Sequence, residues 1–214
     1  MTENPDDGMD AAFWNESYQH DPAGTIVPDR VLARALAEAG LPPGRALDLG
    51  CGAGELALAL ARAGWTVLGV DWAEEAVRLA NAAAARGELA ARFVVGDTTT
   101  WRSADLFDLV VSTYALPGGA ASRAVLATAT AALRPGGTLM IVEWDRAMAR
   151  HWRCFQPEEL VTTSQLLEWL PGLEPVRAEI LTISDMFQDP ADPRRTPTGD
   201  VQVAFVQARR PDAP

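Results

Sequence analysis

The ten residues Arg45-Ala46-Leu47-Asp48-Leu49-Gly50-Cys51-Gly52-Ala53-Gly54 decide the fold. Ala46, Leu47 and Leu49 surround a single acid, the pattern of a short buried strand. Three glycines at alternate positions follow at once. Residues 55–63, rich in Ala and Leu, then have the composition of a helix and close at Gly64. A strand running through a glycine turn straight into a helix is the opening unit of an open, doubly wound sheet.

The alternation continues outward in both directions. Upstream, Val31-Leu32, Ala35-Leu36 and Ala39 recur at helical spacing after Pro28 and stop at Gly40 and Pro42-Pro43. Downstream, residues 65–70 predict a strand ending at Asp71, 73–86 a helix, and 92–95 a strand running into Gly96-Asp97. Residues 107–112 predict a strand, 120–133 a helix, 134–137 a Pro-Gly turn and 138–144 a mostly apolar strand. Near-continuous apolar strands between helices mean a parallel sheet covered on both faces. Past Pro157 a helix over about 158–170 is followed by two alternating segments, 175–183 and 201–206, which suggest an antiparallel addition. The expected architecture is therefore α/β: a Rossmann-like, mostly parallel sheet with helices on both faces. A plain doubly wound sheet with a tail is the alternative.

Glycines let the backbone turn sharply and let a ligand approach the main chain without a Cβ in the way. The helix that follows offers unpaired N–H groups and a positive dipole end. Asp48 and Asp71 sit at the ends of the first two strands, Asp97 closes the third and Ser112 the fourth. All lie on the carboxyl edge, where such sheets bind ligands, and an acid at the position of Asp71 can accept from a ribose diol. One Asp at a strand end is commonly a helix cap; four polar ends in register with a glycine loop point to a nucleoside. Gly52-x-Gly54-x-x-Ala57 also fits the looser dinucleotide pattern, so an NAD(P)- or flavin-dependent oxidoreductase stays open. Against it, Asp48 would face a pyrophosphate, whereas its charge suits an ammonium beside a sulfonium. The chain also has no Lys, and so no Tyr-x-x-x-Lys pair for hydride transfer.

Residues 46–54 resemble the signature loop of the class I S-adenosylmethionine-dependent methyltransferases. The likeness continues through Gly69-Val70-Asp71, Gly96-Asp97, the run 107–112 and the run 133–139, in the expected order over roughly half the chain. It implies seven strands with the last antiparallel, S-adenosylmethionine as cofactor and S-adenosylhomocysteine as product. By that resemblance Asp48 and the backbone of Gly50, Cys51, Gly52 and Gly54 hold the methionine part, and Asp71 binds the ribose. Trp72 packs on the adenine, Asp97 and Thr98 lie near its amino group, and Ser112, Thr113 and Tyr114 lie under the sulfonium. An Asp71→Ala change is expected to weaken cofactor binding by about 1–3 kcal/mol and leave the fold intact. The stretch Phe13-Trp14-Asn15-Glu16-Ser17-Tyr18 is similar to a segment of tellurite-resistance and thiopurine methyltransferases that covers the cofactor. Trp14 and Tyr18 are thus lid residues, and the chain divides as one domain into a lid (1–27), a cofactor half (28–144) and an acceptor half (145–214).

Tyr114, Trp144, Met148, Trp152 and Phe155, with Met186-Phe187 further on, are apolar groups beyond strand ends, suited to a planar or lipophilic acceptor. Methyl transfer is an in-line displacement that depends chiefly on alignment. If a base assists, His151 is the first candidate, because imidazole takes a proton near neutral pH. Glu143 and Tyr114 are further candidates, with Asp145 and His20 in reserve. Cys51 is read as a small packing residue, and no His/Cys/Asp spacing suggests a metal.

The chain has 214 residues, enough for one α/β domain, and a net charge of −11 that opposes nucleic acid and anionic lipid. All 18 basic residues are Arg, which with the Ala-rich runs suggests a GC-rich bacterial genome. The start (1–10) is acidic without an apolar stretch, and no run is long enough to span a bilayer. The expectation is a cytoplasmic enzyme, monomer or homodimer, acting on a small molecule in biosynthesis or detoxification.

Overall fold

A computed structural model describes residues 10–20, 30–150, 157–184 and 200–212. Seven strands form one sheet in the order β3-β2-β1-β4-β5-β7-β6. Strands β1 (Arg45–Leu49), β2 (Thr66–Asp71), β3 (Ala91–Val95), β4 (Phe107–Thr113) and β5 (Leu133–Trp144) pair in parallel. The last strand, β7 (Val201–Arg209), runs antiparallel to β5 and to β6 (Glu174–Ile183). The mostly parallel sheet with an antiparallel last strand is thus as expected.

Strand side chains alternate between faces, so the inner strands feed two cores. Ala46, Val67, Leu109, Val111, Met140, Val142 and Phe205 pack with the helices α2 (Arg30–Ala39), α3 (Glu55–Arg62) and α4 (Glu74–Arg86). Leu47, Leu49, Val110, Leu139, Ile141, Ala204 and Val206 pack against α5 (Gly119–Ala132) and α6 (Thr163–Glu168) on the other face.

Three boundaries differ from the sequence reading. The Pro-Gly turn at 134–137 is an excursion inside β5: Leu133 pairs with Phe107 before it and Thr138 with Leu109 after it. It is held from outside, since Gly136 N–H donates to the Arg210 carbonyl and Arg210 N–H to Gly137. The helix expected from 158 begins at Thr163 because Val161 is drawn into a bridge with Asp145; the Thr162 hydroxyl then caps it, accepting from Gln165 N–H. Residues Ala11–His20 form a helix, α1, with no buried residue. Among the described residues no helix is long and apolar enough to cross a membrane.

Candidate functional site

The carboxyl ends of β1, β2 and β4 meet at the glycine loop. Gly50 and Gly52 have φ of +74° and +51°, and a Cβ at Gly52 would collide with the Tyr18 hydroxyl. That left-handed backbone favours glycine. The loop's N–H groups are used internally: Gly50 and Cys51 donate to Val70, Gly52 to Asp71, Ala53 to the Tyr18 oxygen and Gly54 to Cys51. The loop therefore offers a close approach to backbone rather than a set of free donors, which modifies the sequence expectation.

Asp48 is 1% exposed, and one of its oxygens, Oδ1, has no hydrogen-bond partner. The carboxyl also accepts from Ala57 N–H, standing in for the cap that Gly54 cannot give α3. Burial, and then the neighbouring Asp71, push its pKa up to about 7. Asp71 accepts from Gly52 N–H at 2.8 Å and from Ala73 N–H at 2.9 Å, and burial raises its pKa too. Two buried acids side by side, one with an unpaired oxygen, form a site that an incoming cation would relieve. This donor set fits the ammonium-bearing cofactor that the sequence resemblance implies. Cys51 is buried and its thiol pKa is pushed up by burial and by Asp48 and Asp71, so it is a poor nucleophile.

The aromatic segment closes over this loop. Tyr18 sits on Ala53, its phenol pKa pushed up by burial and by Asp71, Cys51 and Glu55. Trp14 lies 6.4 Å from Tyr18, ring to ring. Sequence reasoning passed over Asn15, whose Oδ1 accepts from Glu75 N–H at 2.9 Å. The signal was available: Ala73 at the start of α4 has no side chain able to cap it, so an acceptor must come from elsewhere. Asn15→Ala should cost about 1 kcal/mol, the scale of a lost cap, and accelerate hydrogen exchange throughout α1. Unchanged exchange would show that α1 is docked by other contacts.

Around the rim, Trp72 is 39% exposed just past Asp71. Asp97 is exposed, and Thr99 donates to it through both N–H and hydroxyl, holding its pKa low; Thr98 is half-buried beside it. Thr113 shares its strand face with Val111, on the side of α3 and α4. Ser112 points to the opposite face with Val110, fully buried, its hydroxyl unpartnered. Its side chain is therefore turned away from the Asp48 face, contrary to the placement expected for it.

Tyr114 has φ of +51°, strained for a side chain of its size. Its ring stacks on Trp144 with centroids 4.2 Å apart. Both are half-buried. Met148, expected in the acceptor pocket, is 2% exposed and packs with Leu160 and Val201; Gln202 N–H donates to its sulfur. It is a core residue. Glu143 accepts from Ala115 and Leu116 N–H at 2.6 and 2.9 Å, so its carboxylate anchors the turn that carries Tyr114 rather than standing ready as a base. Asp145 accepts from Ala147 N–H, and its second oxygen is buried without a partner. His20 Nδ1 lies 2.8 Å from the Glu16 carbonyl at an exposed helix end. His151, Trp152, Phe155, Met186 and Phe187 lie outside the described residues. Among the described residues no group of three His, Cys, Asp or Glu side chains could hold a metal.

Residues 46–137 match a family model described as a methyltransferase domain. The chain is 26% identical to a ubiquinone biosynthesis O-methyltransferase of Parvibaculum lavamentivorans over 86% of this chain and 76% of that protein. It is 35% identical to ribosomal RNA small subunit methyltransferase C of Alcanivorax borkumensis, over 47% of this chain but only 32% of that protein. Among solved structures, one described under the conversion of a disulfide bond into a thioacetal group during echinomycin biosynthesis superposes with a TM-score of 0.72. It is 23% identical, covering 94% of this chain and 91% of that one. TehB from Haemophilus influenzae superposes with a TM-score of 0.68 at 17% identity, covering 92% and 67%.

Proposed function

We propose that the chain is a class I S-adenosylmethionine-dependent methyltransferase that methylates a small, largely apolar acceptor; the match of residues 46–137 to a methyltransferase domain and the seven-stranded sheet support this reading. When bound, S-adenosylmethionine supplies a methyl group on a positively charged sulfur, so the electrophile needs no activation by a protein nucleophile. The observation that carries the reading is Asp48, a buried carboxyl with an oxygen lacking any partner beside a loop built for close approach. Its charge answers the ammonium of the methionine part.

The remaining lone pairs of Asp71 accept from the ribose hydroxyls, and Trp72 packs on the adenine with Asp97 and Thr98 at its edge. Trp14 and Tyr18 cover the loop and exclude water. The stacked Tyr114 and Trp144 offer a flat wall that orients a planar acceptor, and Glu143 holds the turn from which Tyr114 projects. Alignment of this kind supplies most of the barrier reduction for an in-line displacement. His151 is the proposed base where the acceptor is a hydroxyl, amine or thiol. A charge of −11 supports a small molecule over RNA as acceptor, and a role in biosynthesis or detoxification follows from that class.

Calorimetric titration with S-adenosylhomocysteine, and in parallel with NADH, tests the reading. Micromolar binding of the first alone is expected. Binding of NADH alone would return the chain to the dinucleotide alternative, and binding of neither would show a degenerate site.

A further inference from the structure

Strand β6 closes one end of the sheet and, among the described residues, pairs with β7 alone. Ten residues are long for an edge, and edges of this kind are ordinarily blunted by Lys, Pro or bulges. Here Pro175 and the register shift between Pro175 and Arg177 protect only the first residues. From Arg177 to Ile183 the pairing is regular, with no Gly or Pro, and the chain contains no Lys at all. Val176 and Ile180 are 54% and 53% exposed on one face of the strand, with Ala178 and Thr182 between and beyond them. On the other face, Arg177 lies over the Phe205 ring and pairs with Glu179 and Glu38.

We propose that this edge receives the β6 edge of a second copy, in antiparallel register, joining two seven-stranded sheets across a two-fold axis at Ala178. The strand is self-complementary about that residue. Pairing centred there sets Arg177 opposite Glu179 of the second copy and Val176 opposite Ile180, each twice by symmetry. A two-fold axis perpendicular to the sheet keeps faces matched only when it passes through a residue. The neighbouring centres then fail on charge: at Arg177 they oppose arginine to arginine, and at Glu179 glutamate to glutamate. The register is thus selected by face parity and by charge together. The interface lies at the third strand beyond β4, with β5 and β7 between, so it leaves the glycine loop open; it does not depend on the proposed reaction.

Sedimentation velocity of the full chain at high micromolar concentration should give about twice 22.9 kDa. Ala178→Cys, oxidised mildly, should crosslink two chains, because directly opposed antiparallel residues lie about 4.5–5.5 Å apart at Cα, within disulfide reach. Thr182→Cys, which this register sets opposite Glu174, should not, and wild type oxidised in parallel accounts for Cys51 and Cys154. A monomer mass overturns the proposal. So does a dimer in which Ala178→Cys fails to crosslink, or in which Thr182→Cys crosslinks as well.

Discussion

Asp48→Asn should stabilise the ligand-free protein at pH 8 while weakening its hold on S-adenosylhomocysteine at least tenfold. Burial and Asp71 raise the Asp48 carboxyl from 3.8 to about 7. The folded chain therefore keeps a proton that the unfolded chain has released between about pH 4 and pH 7. Stability falls where the folded state binds more protons as pH rises, so the wild type loses stability across that window. The full cost above pH 7 is on the order of 4 kcal/mol by the usual conversion. Asn retains an acceptor for Ala57 N–H and carries no charge, so its advantage should vanish at pH 4 and be largest at pH 8. Urea unfolding at the two pH values measures it. The same ionisation sets binding: wild-type affinity should strengthen as pH rises through about 7, and that of the Asn variant should be flat. A variant less stable than wild type at pH 8 would mean that Asp48 is already compensated in the free protein.

Asp71→Ala should cost about 2–6 kcal/mol of stability in addition to its effect on the cofactor. The carboxylate holds Gly52 N–H and Ala73 N–H, and each donor left buried without an acceptor costs about 1–3 kcal/mol. It latches the glycine loop to the start of α4. This revises the expectation from sequence that the change spares the fold. Asp71→Asn, which keeps an acceptor, should lose less stability than Ala. Urea midpoints of the three proteins without ligand decide it; equal midpoints would show that the latch carries no energy.

The two cases show what a sequence discloses. The loop at 50–54 and the acids at 48 and 71 are legible because a strand, a turn and a helix lie within one short window. β1 to β4 came within about a residue or two of their predicted bounds for the same reason: each is a short, mostly apolar run that local sequence reveals. What was missed depends on distant pairings. Nothing local says that Glu143 is taken by Ala115 and Leu116, or that Gly136 and Gly137 are pinned by Arg210 and so sit inside β5 rather than outside it. Helix α1 has no buried face to announce itself, and its docking through Asn15 joins residues 60 apart. Met148 illustrates the converse, since an apolar residue near a site reads alike whether it lines a pocket or fills a core.

The sheet order has a consequence for how the protein is made. β6 leaves the ribosome before β7, yet β7 lies between β5 and β6. Until β7 has emerged, β6 has no neighbour to pair with and β5 presents a bare apolar edge. Pairings between segments far apart in sequence form slowly, and unpaired edges invite aggregation meanwhile. The nascent chain thus passes through a stage with two sticky borders, and the demand on chaperones should peak just before β7 inserts.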